Sequence, residues 1–388
     1  DHRDLHSFPT RRSSDLLFVA NIHKHFLAFH LPYIKWFQEN GYEVHVAAND
    51  DSVIVPLVDK QWNICIERNP FSRNNVKAYR ELKSIVEKEK YCLVTSHTAM
   101  GGVLARLASR KARKNFGLKV LYTVHGFHFF KGSPKSYWLL YYPMEKFLSR
   151  YTDAIITINQ EDLELVKSHS FKNKATYIIP GIGFNADRLK KVNEDQKQAL
   201  RVKNGYKQSD FIVIYVAEYI PRKNHGFIID ALPEITKKIP EIKVLFAGRG
   251  RDMELTMEYA KSKAVDQYIE FLGFRDDIGN LIALSDVGIS ASKQEGLGLN
   301  LAEEMYSGLP VVASKDRGHK EMIIHGENGF LFPQNDNIAF IEAIIYLYEN
   351  PEKRKEMGKY AAESIRKFSL ENSLTEMVKI YKRYLQQS

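Results

Sequence analysis

Ser292-Lys293-Gln294-Glu295-Gly296-Leu297-Gly298-Leu299-Asn300-Leu301-Ala302-Glu303-Glu304-Met305-Tyr306-Ser307-Gly308-Leu309-Pro310-Val311-Val312-Ala313 is the stretch whose reading decides the fold. Glu295 and Glu303 stand eight positions apart, with Gly296 and Gly298 between them and a helix-like run around Glu303. An apolar segment, Val287-Gly288-Ile289-Ser290-Ala291, leads in, and Pro310-Val311-Val312-Ala313 leads out. Strand, glycine turn and helix N-terminus together present backbone N–H groups to a phosphate. Glu295 is expected in the turn and Glu303 inside the helix, both toward one crevice. Carboxylates accept hydrogen bonds from sugar and ribose hydroxyls. A phosphate flanked by hydroxyls describes a nucleotide-sugar.

Taken alone, a Glu pair at this spacing is most often a solvated helix face. The whole string changes that weighing. It resembles the E-x7-E signature of retaining glycosyltransferases of family 4, including the Gly-x-Pro-Val-Val-Ala tail. Glu304 departs from the family's usual Ala and reads as a neighbour of the in-register Glu303.

The rest of the chain sets bounds on this reading. Its 388 residues suggest two or three domains. With 44% hydrophobic and 27% charged residues it has the composition of an ordinary globular protein. No apolar run reaches the ~18 residues of a membrane span. Cys65 and Cys92 lie in apolar segments and read as buried free thiols, and no Cys/His group has zinc spacing. Residues 1–15 are polar, carry Arg11-Arg12, lack an apolar h-region and read as a non-native-looking leader, set aside from the fold. The net charge of +9 is uneven: residues 16–184 hold 23 Lys/Arg against 14 Asp/Glu, whereas 185–388 hold 30 of each. An anionic membrane surface, nucleic acid or plain solubility accounts for such an excess.

β-Branched runs alternate with helix-period segments through both halves, the pattern of parallel sheets with crossover helices. Strands are expected at 16–21, 43–48, 63–67, 92–96, 119–124 and 154–158, then at 211–216, 243–247, 268–271, 287–290 and 310–313. Helices are expected at 74–89, 102–114, 337–349, 351–368 and 370–386. The turn-rich Ile179-Pro180-Gly181-Ile182-Gly183-Phe184-Asn185 marks a boundary. The expected fold is α/β, two doubly wound Rossmann-like domains facing across a cleft, with ligands at strand C-termini. The resemblance implies the GT-B arrangement: an acceptor domain over 16–184, a donor domain over 185–368, and a final helix, 369–388, crossing back to the first domain.

The second domain's first strand is followed by Glu218-Tyr219-Ile220-Pro221-Arg222-Lys223-Asn224-His225. Two loop cations are often merely solvated, but a strand-end Arg and Lys suit a diphosphate as fork and point charge. The resemblance makes Lys223 the ligand of the leaving diphosphate. The family often has Arg at the place of Glu218, so Arg222 is the candidate second ligand. Ala247-Gly248-Arg249-Gly250 is a short glycine turn, and Gly273-Phe274-Arg275 resembles the segment beside the nucleobase. Donor binding is thereby expected from Glu303, Gly296, Leu297, Gly298, Leu299, Arg275 and Gly248.

In the first domain Thr123-Val124-His125-Gly126-Phe127-His128 ends a strand. A lone strand-end His is usually structural; the resemblance makes His125 a contact of the sugar or transition state. Asn21, His23 and His97 also end strands and are the acceptor-side candidates, although the family's acceptor loop often contains a glycine that Asn21-Ile22-His23-Lys24-His25 lacks. The segment 127–142 mixes aromatics with cations and suits either a core helix or a bilayer interface.

The resemblance implies a retaining, metal-independent hexosyltransferase acting on a nucleoside-diphosphate sugar, uridine-linked. Its expected partners are that donor, a glycan or polyprenyl-diphosphate-linked acceptor of surface-polysaccharide assembly and an anionic membrane surface, not nucleic acid. The expected place is the cytoplasm, peripheral on the inner membrane face, and no cofactor or metal is expected. Lys223, Arg222, His125 and Glu295 form the catalytic set, with front-face attack by the acceptor hydroxyl. Two other readings stand beside it: a nucleotide-sugar epimerase, and a non-catalytic nucleotide-sugar-binding protein. A dinucleotide oxidoreductase fits less well, since no Gly-x-Gly-x-x-Gly follows the first strand.

Overall fold

The computed structural model describes residues 15–386. The chain forms two compact units, one from its residues up to Ile182 together with those from Leu374 on, the other Gly183–Ser373. The leader reading falls on residues outside those described, except Asp15, which opens the first strand.

The first unit holds a parallel sheet of β1 (Asp15–Ile22), β2 (Glu43–Asn49), β3 (Lys60–Asn63), β4 (Leu93–Ser96), β5 (Lys119–Val124), β6 (Ala154–Thr157) and β7 (Ala175–Ile178), in the order β3-β2-β1-β4-β5-β6-β7. Leu16 to Ala20 are all fully buried. Burial of every residue in a run, rather than alternate ones, means that both sheet faces are covered by helices. The second unit repeats the plan with β8 (Phe211–Val216), β9 (Ile242–Ala247), β10 (Ile269–Gly273), β11 (Val287–Ser290), β12 (Val311–Ser314) and β13 (Gly329–Phe332), ordered β10-β9-β8-β11-β12-β13. In each sheet the strand order reverses once, between β1 and β4 and between β8 and β11. Crevices at such reversals, outside the strand C-termini, are where open α/β sheets take ligands.

The expected strand at 63–67 is displaced. Lys60–Asn63 pairs with β2, while Ile64 and Ile66 are buried without joining a ladder. Apolar burial there reflects packing under a loop, and the pairing strand carries only one apolar side chain, Trp62. The helix expected at 102–114 is two, Ala99–Ala108 and Arg110–Phe116, broken at Ser109. Cys65 and Cys92 are free thiols but half-buried rather than buried. The last helix, Leu370–Leu385, joins the first unit from Leu374 onward, where Tyr381 packs on Phe37 at 4.8 Å between ring centroids.

Candidate active site

The reversal in the second sheet brings together Lys223, Arg222 and Glu295 of the residues singled out by the sequence. Lys223 follows β8 and Glu295 follows β11, the two strands flanking the reversal. Lys223 Nζ lies 2.5 Å from Glu295 Oε1, and Arg222 Nη1 lies 3.2 Å from Oε2. Arg222 also donates to the Gln294 carbonyl at 2.7 Å, and Lys293 N donates to the Arg222 carbonyl at 2.9 Å, so the two strand-end loops are tied together. Tyr215 fixes the lysine loop from below, its hydroxyl donating to the Lys223 carbonyl at 2.7 Å. Asn224, in the left-handed region at φ 57°, then turns the chain into the helix His225–Lys238.

Glu295 is 8% exposed. Burial pushes its carboxyl up, but Lys223, Arg222 and His319 outweigh burial and hold it down at about 2. Two cations against one carboxylate leave this triad a net positive charge, suited to an anionic ligand. The glycine turn adds backbone donors. Gly298 precedes the helix Leu299–Tyr306 with φ 99°, and a side chain there would stand 3.0 Å from His319 Cδ2. Both the positive φ and the close imidazole restrict this position to glycine.

Three residues of this site escaped the sequence reading. Asp316 accepts from the backbone N–H groups of Glu295 and His319 and so pins the turn. His319 is fully buried against Gly298, its Nδ1 donating to the Ser314 carbonyl at 2.7 Å. Both follow β12, so the strand-end position that exposed Lys223 would have found them. Arg188 forms an ion pair with Glu303 and lies in a short turn with no periodic signal around it. Burial raises the Glu303 carboxyl, and Arg188 opposes the rise. Glu304 points the other way, against Gly288 of β11. Burial, reinforced by the Glu303 charge, pushes its carboxyl well above the ordinary range while Asn300 and Lys223 oppose.

Gly248 and Gly250 serve close approach. Side chains there would run into the Ala217 and Tyr219 backbones, and Gly248 N already donates to the Gly273 carbonyl at 2.8 Å. Arg275 lies beyond the edge strand β10, its fork closed on Asp277 at 2.7 and 2.8 Å. Neither belongs to the Lys223–Glu295 cluster.

The first unit brings its candidates together around its own reversal. Asn21 ends β1 and its side-chain oxygen accepts from Thr98 Oγ1 at 2.7 Å and Gly101 N at 3.0 Å, occupying the start of the helix Ala99–Ala108. His23 Nε2 pairs with Asn63 Oδ1 at 3.0 Å. His97, fully buried after β4, has Nδ1 3.4 Å from His125 Nε2 after β5. Burial lowers the His125 imidazole to about 4, leaving it neutral at physiological pH. The aromatic segment and the helix it leads into are partly buried and partly exposed. Phe127, Phe129, Trp138 and Tyr142 pack into a core, while Tyr137, Leu139, Leu140 and Phe147 of the helix Lys135–Ser149 are exposed, Leu139 at 82%. Among the described residues no helix is long and apolar enough to cross a membrane.

Comparison with known proteins bears on this geometry. The family described as Glycosyl transferases group 1 matches residues 196–364, and that described as Glycosyl transferase 4-like matches residues 16–159. EpsD of Bacillus subtilis (strain 168), whose name assigns it to the glycosyltransferases, is 44% identical over 370 residues, 95% of this chain and 97% of that protein. The Escherichia coli UDP-Gal:alpha-D-GlcNAc-diphosphoundecaprenol alpha-1,3-galactosyltransferase is 29% identical over 76% of this chain and 75% of its own length. The crystal structure of Anabaena HepE in complex with UDP-glucose superposes with a TM-score of 0.76 at 19% identity, over 95% of this chain and 99% of that one. Two doubly wound parallel sheets, matched along nearly the whole chain by such proteins, are the GT-B architecture. The chain belongs to the family 4-like, group 1 glycosyltransferases.

Proposed function

We propose that this glycosyltransferase moves a hexosyl group, with retention, from a uridine-diphosphate sugar to a hydroxyl of a polyprenyl-diphosphate-linked sugar in surface-polysaccharide assembly, without a divalent metal. The observation that carries the proposal is the Lys223–Glu295–Arg222 triad beside the glycine-led helix N-terminus, at the strand reversal of the second unit. Lys223, Arg222 and the backbone N–H groups of Gly296, Leu297, Gly298 and Leu299 receive the departing diphosphate. Stabilising that developing charge is worth several kcal/mol in a site of fixed dipoles. Glu303 takes the ribose hydroxyls in exchange for Arg188, and Glu295 takes the donor sugar while holding both cations in place. Gly248 and Arg275 line the base side of the same strand ends.

His125, a neutral imidazole, acts as a hydrogen-bonding contact of the transferring sugar, and Asn21, His23 and His97 shape the acceptor side. The two signature carboxylates are both held in ion pairs, Glu295 with Lys223 and Arg222 and Glu303 with Arg188. That supports front-face attack by the acceptor hydroxyl over a covalent intermediate. The names of the E. coli and Anabaena proteins support the uridine-linked donor, and the E. coli name supports the lipid-diphosphate acceptor. The exposed Leu139 and Phe147, two turns apart on a helix bearing Lys135 and Lys146 and capped by Arg150, support attachment to an anionic membrane. In this reading the enzyme works in the cytoplasm, on the inner membrane face. Thermal stabilisation by a panel of nucleotide-sugars, followed by transfer to a synthetic lipid-diphosphate sugar, tests the proposal. Stabilisation by uridine donors with product formation is expected; stabilisation without transfer to any acceptor favours the binding-protein reading.

A further inference from the structure

Four histidines from three separate stretches of the sequence meet at the strand reversal of the first unit. His25 lies on the short helix Lys24–Phe29, His30 joins that helix to the next, His97 follows β4 and His125 follows β5. The ring centroids of His30 and His97 are 3.9 Å apart, those of His25 and His30 5.0 Å, and those of His25 and His125 5.4 Å. One ring nitrogen each from His25, His30 and His125 lie within 4.8 Å of one another. His25 Nε2 and His30 Nε2 are buried and have no hydrogen-bond partner. A buried imidazole nitrogen without a partner is costly, and two histidines of this one group each carry such a nitrogen.

We propose that His25, His30 and His125 form a site for one transition-metal ion of the zinc class, with His97 as its supporting residue. Imidazole nitrogen is a preferred ligand of such ions, and three histidines with an open fourth position form a known coordination set. Two nitrogens on a tetrahedral zinc are roughly 3.3 Å apart, so modest ring rotations close the present separations. The contact between His97 Nδ1 and His125 Nε2 at 3.4 Å supplies the outer partner that ligating histidines require to fix their tautomer. No carboxylate belongs to the set, which disfavours magnesium and calcium. An ion held there also withdraws His125 from sugar contact and so acts as a brake on transfer; this consequence rests on the role given to His125 above.

Titration of the full chain, free of any tag, with Co²⁺ tests the site by visible absorbance without an activity assay. One equivalent is expected to bind with a nitrogen-ligand spectrum and to be displaced by one equivalent of Zn²⁺. His25→Asn, at a half-buried position, and His30→Asn should each weaken binding by at least about tenfold, since even outer-shell changes cost that much. His128→Asn, outside the cluster, should leave binding unchanged. Equal binding by wild type and both cluster variants overturns the proposal, as does an equal loss in His128→Asn. Zinc inhibition of transfer by wild type, relieved in His25→Asn, supports the brake. Zinc bound at the site without inhibition keeps the site and removes His125 from the transfer mechanism.

Discussion

Lys223 Nζ and Glu295 Oε1 lie 2.5 Å apart across the strand reversal of the second sheet, and each comes from the loop that ends one of the two flanking strands. The lysine read from the sequence as a phosphate ligand and the glutamate read as a sugar ligand are therefore one electrostatic unit. A diphosphate arriving at Lys223 shares that lysine with Glu295, and the geometry of one residue depends on the other.

The two glutamates of the signature should separate by ligand. Glu303→Ala should weaken binding of uridine diphosphate by about 1–3 kcal/mol, the value of a charged hydrogen bond. Glu295→Ala should leave that affinity unchanged or tighter, because it releases Lys223 and Arg222, while impairing the intact sugar donor. Calorimetry with both ligands checks this, and equal losses of diphosphate affinity in the two variants would contradict the assignment.

Stability should respond to pH with opposite signs at Glu295 and Glu304. The folded-state value of Glu295, about 2, lies below its ordinary 4.5. Its ionised form thus stabilises the fold above pH 4.5 by about 3 kcal/mol, and this is lost as pH falls from 4.5 toward 2. Glu304 is raised instead, so keeping it costs stability increasingly as pH rises above 4.5. Urea unfolding across pH should show the advantage of wild type over Glu295→Gln shrinking in acid. The same measurement should show Glu304→Gln more stable than wild type at neutral pH and equal to it below pH 4.5.

How much of this was legible in the sequence follows from where each residue sits. Interior strands such as Phe211–Val216 and Lys119–Val124 are buried on both faces and read as continuous apolar runs. The strands displaced or missed, Lys60–Asn63, Ala175–Ile178 and Gly329–Phe332, are all at sheet edges, where a strand is only partly covered and its apolar signal fades. Glu295, Gly298 and Glu303 were legible because their chemistry lies within one continuous string. Arg188 and the His25–His30–His125 group were not, because chain segments distant in sequence meet only after folding.

Transfer should survive chelation. Cations and a helix N-terminus already face the place proposed for the diphosphate, so excess EDTA should leave the initial rate within about twofold, a change of under ~0.5 kcal/mol. Activity abolished by the chelator and restored by manganese or magnesium would assign the charge stabilisation to a metal instead.

Membrane attachment should depend on both charge and the exposed apolar face of the helix Lys135–Ser149. Basic residues near an anionic surface contribute about 1 kcal/mol each, and the attraction fades with salt. Flotation with anionic vesicles should recover the protein at low salt and release it as salt rises, and Leu139→Glu with Phe147→Glu should abolish recovery. Binding indifferent to lipid charge would leave the basic first half as a solubility feature.

The central claim is retaining transfer through the Lys223–Glu295 unit, and the anomeric configuration of the product tests it most directly. The enzyme is to be incubated with a uridine-diphosphate α-linked hexose and a synthetic lipid-diphosphate sugar, and the new linkage read by the proton NMR coupling of its anomeric hydrogen. The account predicts an α-linked product from wild type and a rate at least about a hundredfold lower from Lys223→Ala, equivalent to the loss of ~3 kcal/mol of charge stabilisation. A β-linked product, or an epimerised donor with no transfer, would contradict it.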